Sequence, residues 1–184
     1  RDFPGRPVLR MSAQTGEGFE LLCEFLDQQG EFGRRVMDVD YDVYAEGEAE
    51  LGWLNSQVSL VTPEAIDLDA FLLRLIEDLR DELAAIEAET AHLKTIGGWE
   101  GYFGVANLIS SFTAPALSVA SNCKTKQANV VVNARVAVAP EKLAELVRAS
   151  VAKIAGSFGG TATVDSLQSF RPGRPVPTHR ILSP

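Results

Sequence analysis

The chain has 184 residues, of which 46% are hydrophobic and 23% are charged, and its formal net charge is −8 at pH 7. This composition excludes a disordered tail and indicates a globular protein with one good core and a partial second unit. The acidic balance argues against sequence-independent binding to nucleic acid or to an anionic membrane, because both depend on a basic face. Cationic partners or metal ions suit such a chain better.

Cysteine use and hydropathy predict a cytoplasmic protein. Cys23 and Cys123 lie far apart and no C-x-x-C pair occurs, so a reducing compartment is the default. No signal peptide or membrane-spanning run is visible, since the most apolar helical segment, Ala70–Leu79, contains three charged residues.

The first predicted element is a strand, a loop and a helix in succession over Pro7–Leu26. The apolar run Pro7–Met11 suits a buried strand, and Gly16 and Gly18 give the following loop its turn chemistry. Apolar residues then recur at i, i+3, i+4 and i+7, which predicts one helix face formed by Phe19, Leu22, Cys23 and Leu26. This unit, assigned to residues 1–35, is too small to fold alone, so we expect the rest of its sheet to lie upstream of Arg1 or to be supplied by the rest of this chain.

Residues 36–50 form an acidic segment in which charged and apolar residues alternate. Period two predicts extended chain with one acidic face. Such a face would hold a divalent cation or meet a basic partner. The alternative is a solvated linker, because alternate carboxylates along a strand lie ~6–7 Å apart and do not converge. Six residues carry the carboxylates: Asp38, Asp40, Asp42, Glu46, Glu48 and Glu50.

Residues 45–170 are predicted to follow the order strand, helix, strand, strand, helix, strand. This is the order of the split βαβ, or ferredoxin-like, α+β fold, with an antiparallel sheet and both helices on one face. Asp67 is predicted to cap the long first helix, and His92 to follow its C-terminus, where the helix dipole favours the imidazolium. The predicted strands and helices are strand Leu51–Val61, helix 68–91, strand Gly101–Ser110, strand Asn129–Ala139, a helix that begins at Pro140 and strand Thr161–Phe170.

Residues 171–184 are predicted to form an extended tail rich in arginine and proline. Its basic residues suit a phosphate or an acidic surface, and the alternative is a flexible terminus. The candidate binding residues are Arg171, Arg174, His179 and Arg180.

The segment Ser12–Gly18, SAQTGEG, resembles the last guanine-nucleotide motif of P-loop GTPases, S-A-x-T-G-E-G. The resemblance implies that the small Ser12 and Ala13 lie against the guanine ring, with Gln14 at the position where the family more often has lysine. Residues 38–55 and the domain that follows are similar to the metal-handling GTPases related to CobW, HypB and UreG. CobW-like members carry a C-terminal domain of this size.

The resemblance implies that the chain is the C-terminal part of a CobW-like GTPase, which couples GTP hydrolysis to delivery of a metal or a cobalamin-related cofactor. GTP and a divalent metal are implied for the parent protein, and no cofactor for this chain. The implied partners are the upstream GTPase domain, a metalloprotein or cofactor-biosynthesis client, and a second copy of the chain. The C-terminal domain would then recognise partners and sense the nucleotide state.

The alternative is a free-standing ferredoxin-like module that binds a ligand or another subunit through its sheet face or through the loop Ser111–Gln127. No G-x-x-x-x-G-K-[ST] motif occurs, so the chain alone is not expected to hydrolyse GTP. An independent enzyme is the weakest reading, because no acid/base pair or nucleophile–base pair can be recognised in the sequence.

Overall fold

The computed structural model of the chain describes residues 7–13, 15–30 and 40–173. Two compact units make up the chain: Arg1–Asp38 with Pro177–Pro184 form the first, and Val39–Val176 form the second. The first unit contains a helix in its described part, and the second contains a six-stranded antiparallel sheet with three helices. The predicted α+β class is confirmed.

In the first unit, the helix is present as predicted but the strand is not. Helix α1 spans Phe19–Leu26 and begins after Gly18, whose φ of 80° is left-handed and whose missing Cβ leaves room for the Arg10 carbonyl. Pro7–Met11 forms no strand in the described part of the chain, and Val8 is 76% exposed. The strand prediction was therefore wrong, and an apolar run of this length needs a neighbouring strand to become one.

The described part of the acidic segment, from Asp40 onward, is helical rather than extended. Helix α2 spans Tyr41–Ala49, so its alternate residues do not share one face. Asp40 explains the difference, because its Oδ1 accepts hydrogen bonds from the backbone N–H groups of Asp42 and Val43, at 2.9 and 3.3 Å. An aspartate at the N-cap satisfies free donors of the first turn and favours a helix over a strand.

The sheet of the second unit is wholly antiparallel and has the strand order β4-β3-β2-β5-β1-β6. The longest pairing joins β1 to β5, β2 and β5 are the two central strands, and β6 and β4 form the two edges. The six strands are β1 Gly52–Asp67, β2 Thr90–Trp99, β3 Tyr102–Leu108, β4 Ala116–Val119, β5 Lys124–Val136 and β6 Thr161–Phe170.

Helices α3, Leu68–Ala85, and α4, Pro140–Ser157, pack on one face of the sheet and against each other. Asp67 caps α3 as predicted, since its side chain accepts a hydrogen bond from the backbone N–H of Ala70 at 3.0 Å. Pro140 occupies the first turn of α4, also as predicted. The core lies between these two layers and consists of inward-facing strand residues such as Leu54 and Val132 and the apolar stripes of both helices.

Three further predictions about this unit were wrong. Helix α3 ends at Ala85 because Glu87 adopts a left-handed φ of 56°, and Ala88 N–H then bonds the Leu83 carbonyl at 3.0 Å. This is the geometry of a C-terminal cap usually built on glycine. The chain then enters β2, which the sequence analysis missed, so His92 lies on a strand. Strand β4 lies within the segment Ser111–Gln127, which was predicted to be a loop.

Candidate functional site

The sheet has one face covered by α3 and α4 and a second face whose side chains stay partly or fully exposed, here called the open face. Along β1, buried Leu54, Ser56 and Val58 alternate with more exposed residues on the opposite side. Side chains opposite each other in an antiparallel sheet share a face, so the strand register shows which residues of the open face are neighbours.

Four residues at the same level of four neighbouring strands form what we call the aromatic-basic row. Trp53 of β1 is opposite Phe170 on one side and Arg135 on the other. The Trp53 and Phe170 rings have centroids 6.2 Å apart and planes inclined by 40°. The Arg135 guanidinium lies 3.8 Å from the Trp53 ring centroid, a cation–π contact. Across the sheet the row consists of Phe170, Trp53, Arg135 and His92.

A second row, here called the amide row, lies one step along the strands. Asn55 is the register partner of both Gln168 and Asn133, and Lys94 is the partner of Asn133. Asn107 completes the row, and its Nδ2 donates to Ser118 Oγ at 2.6 Å. Each carboxamide offers donors and an acceptor, so this row can form directional hydrogen bonds with a bound group.

The two rows form a cavity of about 400 Å³ at the Trp53 end of the open face. This volume lies within the usual range for small-molecule sites, roughly 300–1,000 Å³. The cavity is lined by Trp53, Leu54, Asn55, His92, Asn133, Ala134, Arg135, Gln168 and Phe170.

His92 is half-buried beside two cations. Burial lowers the pKa of His92, and the positive charges of Lys94 and Arg135 lower it further. This is opposite to the expectation that a helix C-terminus would favour the imidazolium, because His92 lies on β2 rather than at the end of α3. A neutral imidazole can accept as well as donate a hydrogen bond in this cavity.

A second cavity, of about 320 Å³, lies at the C-terminal end of α3. It is lined partly by Ser111 and Phe112, at the start of the segment that the binding-module alternative singled out. Ser111 Oγ accepts the backbone N–H of Thr90 at 2.7 Å, and Phe112 is 91% exposed. The remaining lining is Arg80, Ala84, Glu87, Ala88, Glu89 and Thr90, which brings no convergent set of donors.

The segment that resembles a guanine motif forms a tight, exposed turn. Ser12 N–H donates to the Glu17 carbonyl at 3.0 Å, and Gly16 N–H donates to the Ser12 carbonyl at 2.9 Å. Ser12 Oγ also accepts the Thr15 N–H at 3.3 Å, so its hydroxyl is engaged within the loop. Ala13 is exposed, and Gln14 lies outside the described residues.

The acidic and basic candidates are only partly described. Asp38 lies outside the described residues, as do Arg174, His179 and Arg180, and nothing is described of the Glu46 and Glu48 side chains. Asp40 caps α2, Asp42 begins it, and Glu50 follows its end. Arg171 Nη1 donates to the carbonyl oxygen of Ala49, so the start of the basic tail contacts the end of α2.

The sequence analysis placed Asn133 and Arg135 within a predicted strand, Asn129–Ala139, but did not connect them with Trp53 or His92. Polar residues alternating with buried ones on β1 and β5 were the available signal. The pairing of strands far apart in sequence is what brings the two rows together.

Within the described ranges, no group of three or more His, Cys, Asp or Glu side chains is arranged to hold a metal ion. None of the helices described is both long and apolar enough to cross a membrane. Comparisons with protein-family models, with curated proteins and with solved structures found no match for this chain.

Proposed function

We propose that this chain is a recognition module that binds through its open face, and that it serves as the C-terminal portion of a CobW-like GTPase. The observation that carries the recognition role is the cavity between the aromatic-basic row and the amide row. Aromatic, cationic and carboxamide side chains converge there on rigid strands. The side chains of the cavity supply binding chemistry, and its lining contains no serine, cysteine or carboxylate to act as a nucleophile.

The strand order supports a ferredoxin-like interpretation of the second unit. The segments β1-α3-β2 and β5-α4-β6 are two βαβ halves whose strands interleave in the order β2-β5-β1-β6. Interleaving of this kind is what a split βαβ fold requires, with both helices on one face. Strands β3 and β4 then extend the sheet beyond β2. A CobW-like C-terminal domain is expected to have the same core.

The loop Ser12–Gly18 supports the placement beside a GTPase domain. Gly16 and Gly18 have φ values of 78° and 80°, and the hydrogen bonds of Ser12 close the loop before α1 begins. A compact turn that ends at a helix N-terminus, with small residues exposed, is compatible with stacking against a purine ring. In this proposal the parent protein binds GTP and a divalent metal, is cytoplasmic, and delivers a metal or a cobalamin-related cofactor to a client.

GTP hydrolysis by two proteins tests the GTPase part of the proposal. The protein encoded by the whole reading frame that contains this chain is expected to hydrolyse GTP, and to lose that activity when the lysine of its phosphate-binding loop is replaced. The present chain is expected to hydrolyse none, because its sequence has no such loop. A whole product without a phosphate-binding loop would contradict the GTPase assignment and favour the free-standing binding module.

A further inference from the structure

The part of the open face that carries the two rows has a local charge opposite to that of the whole chain. At the register positions of the two rows lie the cations Arg135 and Lys94, and no carboxylate. The net charge of the chain is nevertheless −8. A long polyanion that reached the open face would also meet the acidic remainder of the protein, which repels it. A cationic cluster on an acidic protein therefore favours a small anion.

The shape of the cavity favours a planar ligand. Four strands at a spacing of ~4.8 Å make the aromatic-basic row about 14 Å long, and the amide row lies about 7 Å away along the strands. These dimensions match a ring system with one substituent. Phe170 is 48% exposed and stands beside Trp53, so an aromatic surface remains free for stacking. Arg135, whose guanidinium lies over the Trp53 ring, also has N–H donors that can bind an anionic group.

Hydrogen-bonding groups for a heterocycle are also present. Asn55, Asn133 and Gln168 each carry a carboxamide that can pair with the donor and acceptor edge of a nucleobase. Trp53 lines the same cavity, and its buried Nε1–H has no acceptor among the residues that the structure describes, so its NMR signal can report on binding there.

We propose that the open face binds a nucleoside monophosphate. The base lies against Phe170 and the carboxamides of Asn55, Asn133 and Gln168, and the phosphate lies against Arg135 and His92. This inference rests on the proposed role of the open face as a binding surface, and it names the class of ligand. It does not depend on the GTPase assignment, which is tested by hydrolysis in the whole product.

The test is an NMR titration of the uniformly ¹⁵N-labelled chain with AMP, GMP, CMP and UMP. At least one of them is expected to shift the Trp53 indole N–H signal together with the side-chain amide signals of Asn55, Asn133 and Gln168. Adenosine, guanosine, cytidine, uridine and inorganic phosphate are titrated as separate probes. Each of these fragments is expected to bind at least tenfold more weakly than the best nucleotide, because each lacks one half of the contacts.

Two variants identify the binding surface. Arg135→Ala removes the phosphate contact, and Asn133→Asp keeps the size of the side chain while adding a negative charge beside the base. Each is expected to weaken nucleotide binding about tenfold or more. Arg74→Ala is the matched control, because Arg74 is an exposed arginine on α3, on the covered side of the sheet. Circular dichroism of all three variants establishes that they are folded.

Three results would overturn the proposal. The first is the absence of shifts at the open face with all four nucleotides at about 5 mM, well above the dissociation constant of a weak site of roughly 1 mM. The second is binding of inorganic phosphate as tight as that of the best nucleotide, which would indicate a simple anion patch. The third is binding of a single-stranded oligonucleotide more tightly than any mononucleotide, which would assign the face to nucleic acid.

Discussion

The guanidinium of Arg135 lies over Trp53, with its central carbon 3.8 Å from the centroid of the indole ring. The two residues are register partners on β5 and β1, so strand pairing fixes their contact. Phe170 packs against Trp53 from the other side, with ring centroids 6.2 Å apart. The open face therefore has an aromatic and cationic centre, and it lies on three neighbouring strands, β5, β1 and β6, rather than on loops.

Replacing Arg135 by alanine is expected to expose Trp53 and to lower the free energy of unfolding by about 0.5–1 kcal/mol, the usual contribution of an exposed cation–π pair. Acrylamide quenching of fluorescence measures the exposure, in a Trp99→Phe background that leaves one tryptophan. Arg74→Ala is the control, since its side chain is 65% exposed and pairs with Glu77 at 3.7 Å. Equal quenching in both variants would show that Arg135 does not shield Trp53.

The starts of α3 and α4 and their core-facing stripes were predictable because local signals agree with the tertiary structure. Asp67 caps α3 and Pro140 begins α4, and in both helices the apolar residues repeat with the period of a helix facing one core. Strand β6 was also predicted with its observed bounds, Thr161–Phe170. In each case propensity, pattern and capping favoured the same element.

The errors occur where a single residue decides between two structures. Glu87 adopts the left-handed conformation that usually requires glycine, so the sequence carried no sign that α3 ends there. Asp40 caps α2, although the alternation after it has the period of a strand. Gly97 in β2 weakens the strand signal, yet a Cβ there would lie 3.0 Å from Leu68 and Leu72 side-chain carbons, so glycine allows α3 to approach the sheet.

The open face could not be assembled from sequence for a different reason. Trp53 and Arg135 are separated by most of the second unit along the chain, and only the pairing of β1 with β5 makes them neighbours. Local periodicity assigns a residue to a face, but it does not give the register between strands that are distant in sequence. The polar side of β5 was predictable, whereas its opposite residues on β1 and β2 were not.

The second prediction concerns the charge of His92. Replacing Lys94 by glutamine is expected to raise the pKa of His92, because one of the positive charges that lowers it is removed, while burial remains. The titration of the His92 imidazole signals by NMR measures this change. Lys142→Gln is the control, since Lys142 lies on α4 and pairs with Glu145 at 3.0 Å. An unchanged pKa in the Lys94 variant would contradict the electrostatic account.

The same lowered pKa predicts how stability depends on pH. The unfolded chain takes up a proton at His92 near the ordinary value of about 6.5, before the folded chain does. The contribution of neutral His92 to the free energy of unfolding is therefore fully present above that value. It decreases as the pH falls through the lowered pKa of the folded state. Chemical denaturation at several pH values is expected to show a smaller decrease for His92→Asn than for the parent chain. If the free energy of unfolding decreases equally in the parent chain and in His92→Asn, ionisable groups other than His92 cause the decrease.

The third prediction concerns Asp69, a residue at the start of α3 whose carboxylate accepts hydrogen bonds from the loop before β5. Burial alone would raise its pKa, but hydrogen bonds from the backbone N–H groups of Ser121 and Asn122, at 2.8 and 2.9 Å, outweigh burial and lower it. Asp69→Ala leaves both donors without this partner, and we expect a loss of about 1–3 kcal/mol in the free energy of unfolding. Urea denaturation measures it, with the exposed Asp81→Ala as the control.

Acid titration tests independently whether these hydrogen bonds to Asp69 stabilise the fold. A carboxylate with a lowered folded pKa contributes stability above its unfolded value of about 3.9, and this contribution is lost as the pH falls through the folded pKa. The stability difference between the parent chain and Asp69→Asn is therefore expected to shrink below about pH 4. A difference that stays constant between neutral pH and pH 3 would show that the charge of Asp69 does not act through these hydrogen bonds.

The last prediction uses two glycines with opposite surroundings. A Cβ at Gly104 would lie 2.5 Å from Asp69 Oδ1 and 3.3 Å from carbons of Leu72 and Ser121, whereas a Cβ at Gly156 would meet nothing within 4 Å. Gly104→Ala is expected to destabilise the fold by about 1–3 kcal/mol, because rigid neighbours must move. Gly156→Ala is expected to stabilise it by up to about 1 kcal/mol, because alanine is the better helix former in α4.

A double-mutant cycle separates the clash at Gly104 from a general loss of packing. If the alanine methyl group displaces the Asp69 carboxylate, the double variant Gly104→Ala/Asp69→Ala is expected to lose less free energy of unfolding than the two single variants together. The expected difference is more than about 0.5 kcal/mol. Combined with Gly156→Ala, which lies on a different element, Gly104→Ala is expected to be additive. If both pairs are additive, the cost of Gly104→Ala does not come from displacing the Asp69 carboxylate. It would then come from the backbone conformation of Gly104 or from contact with Leu72.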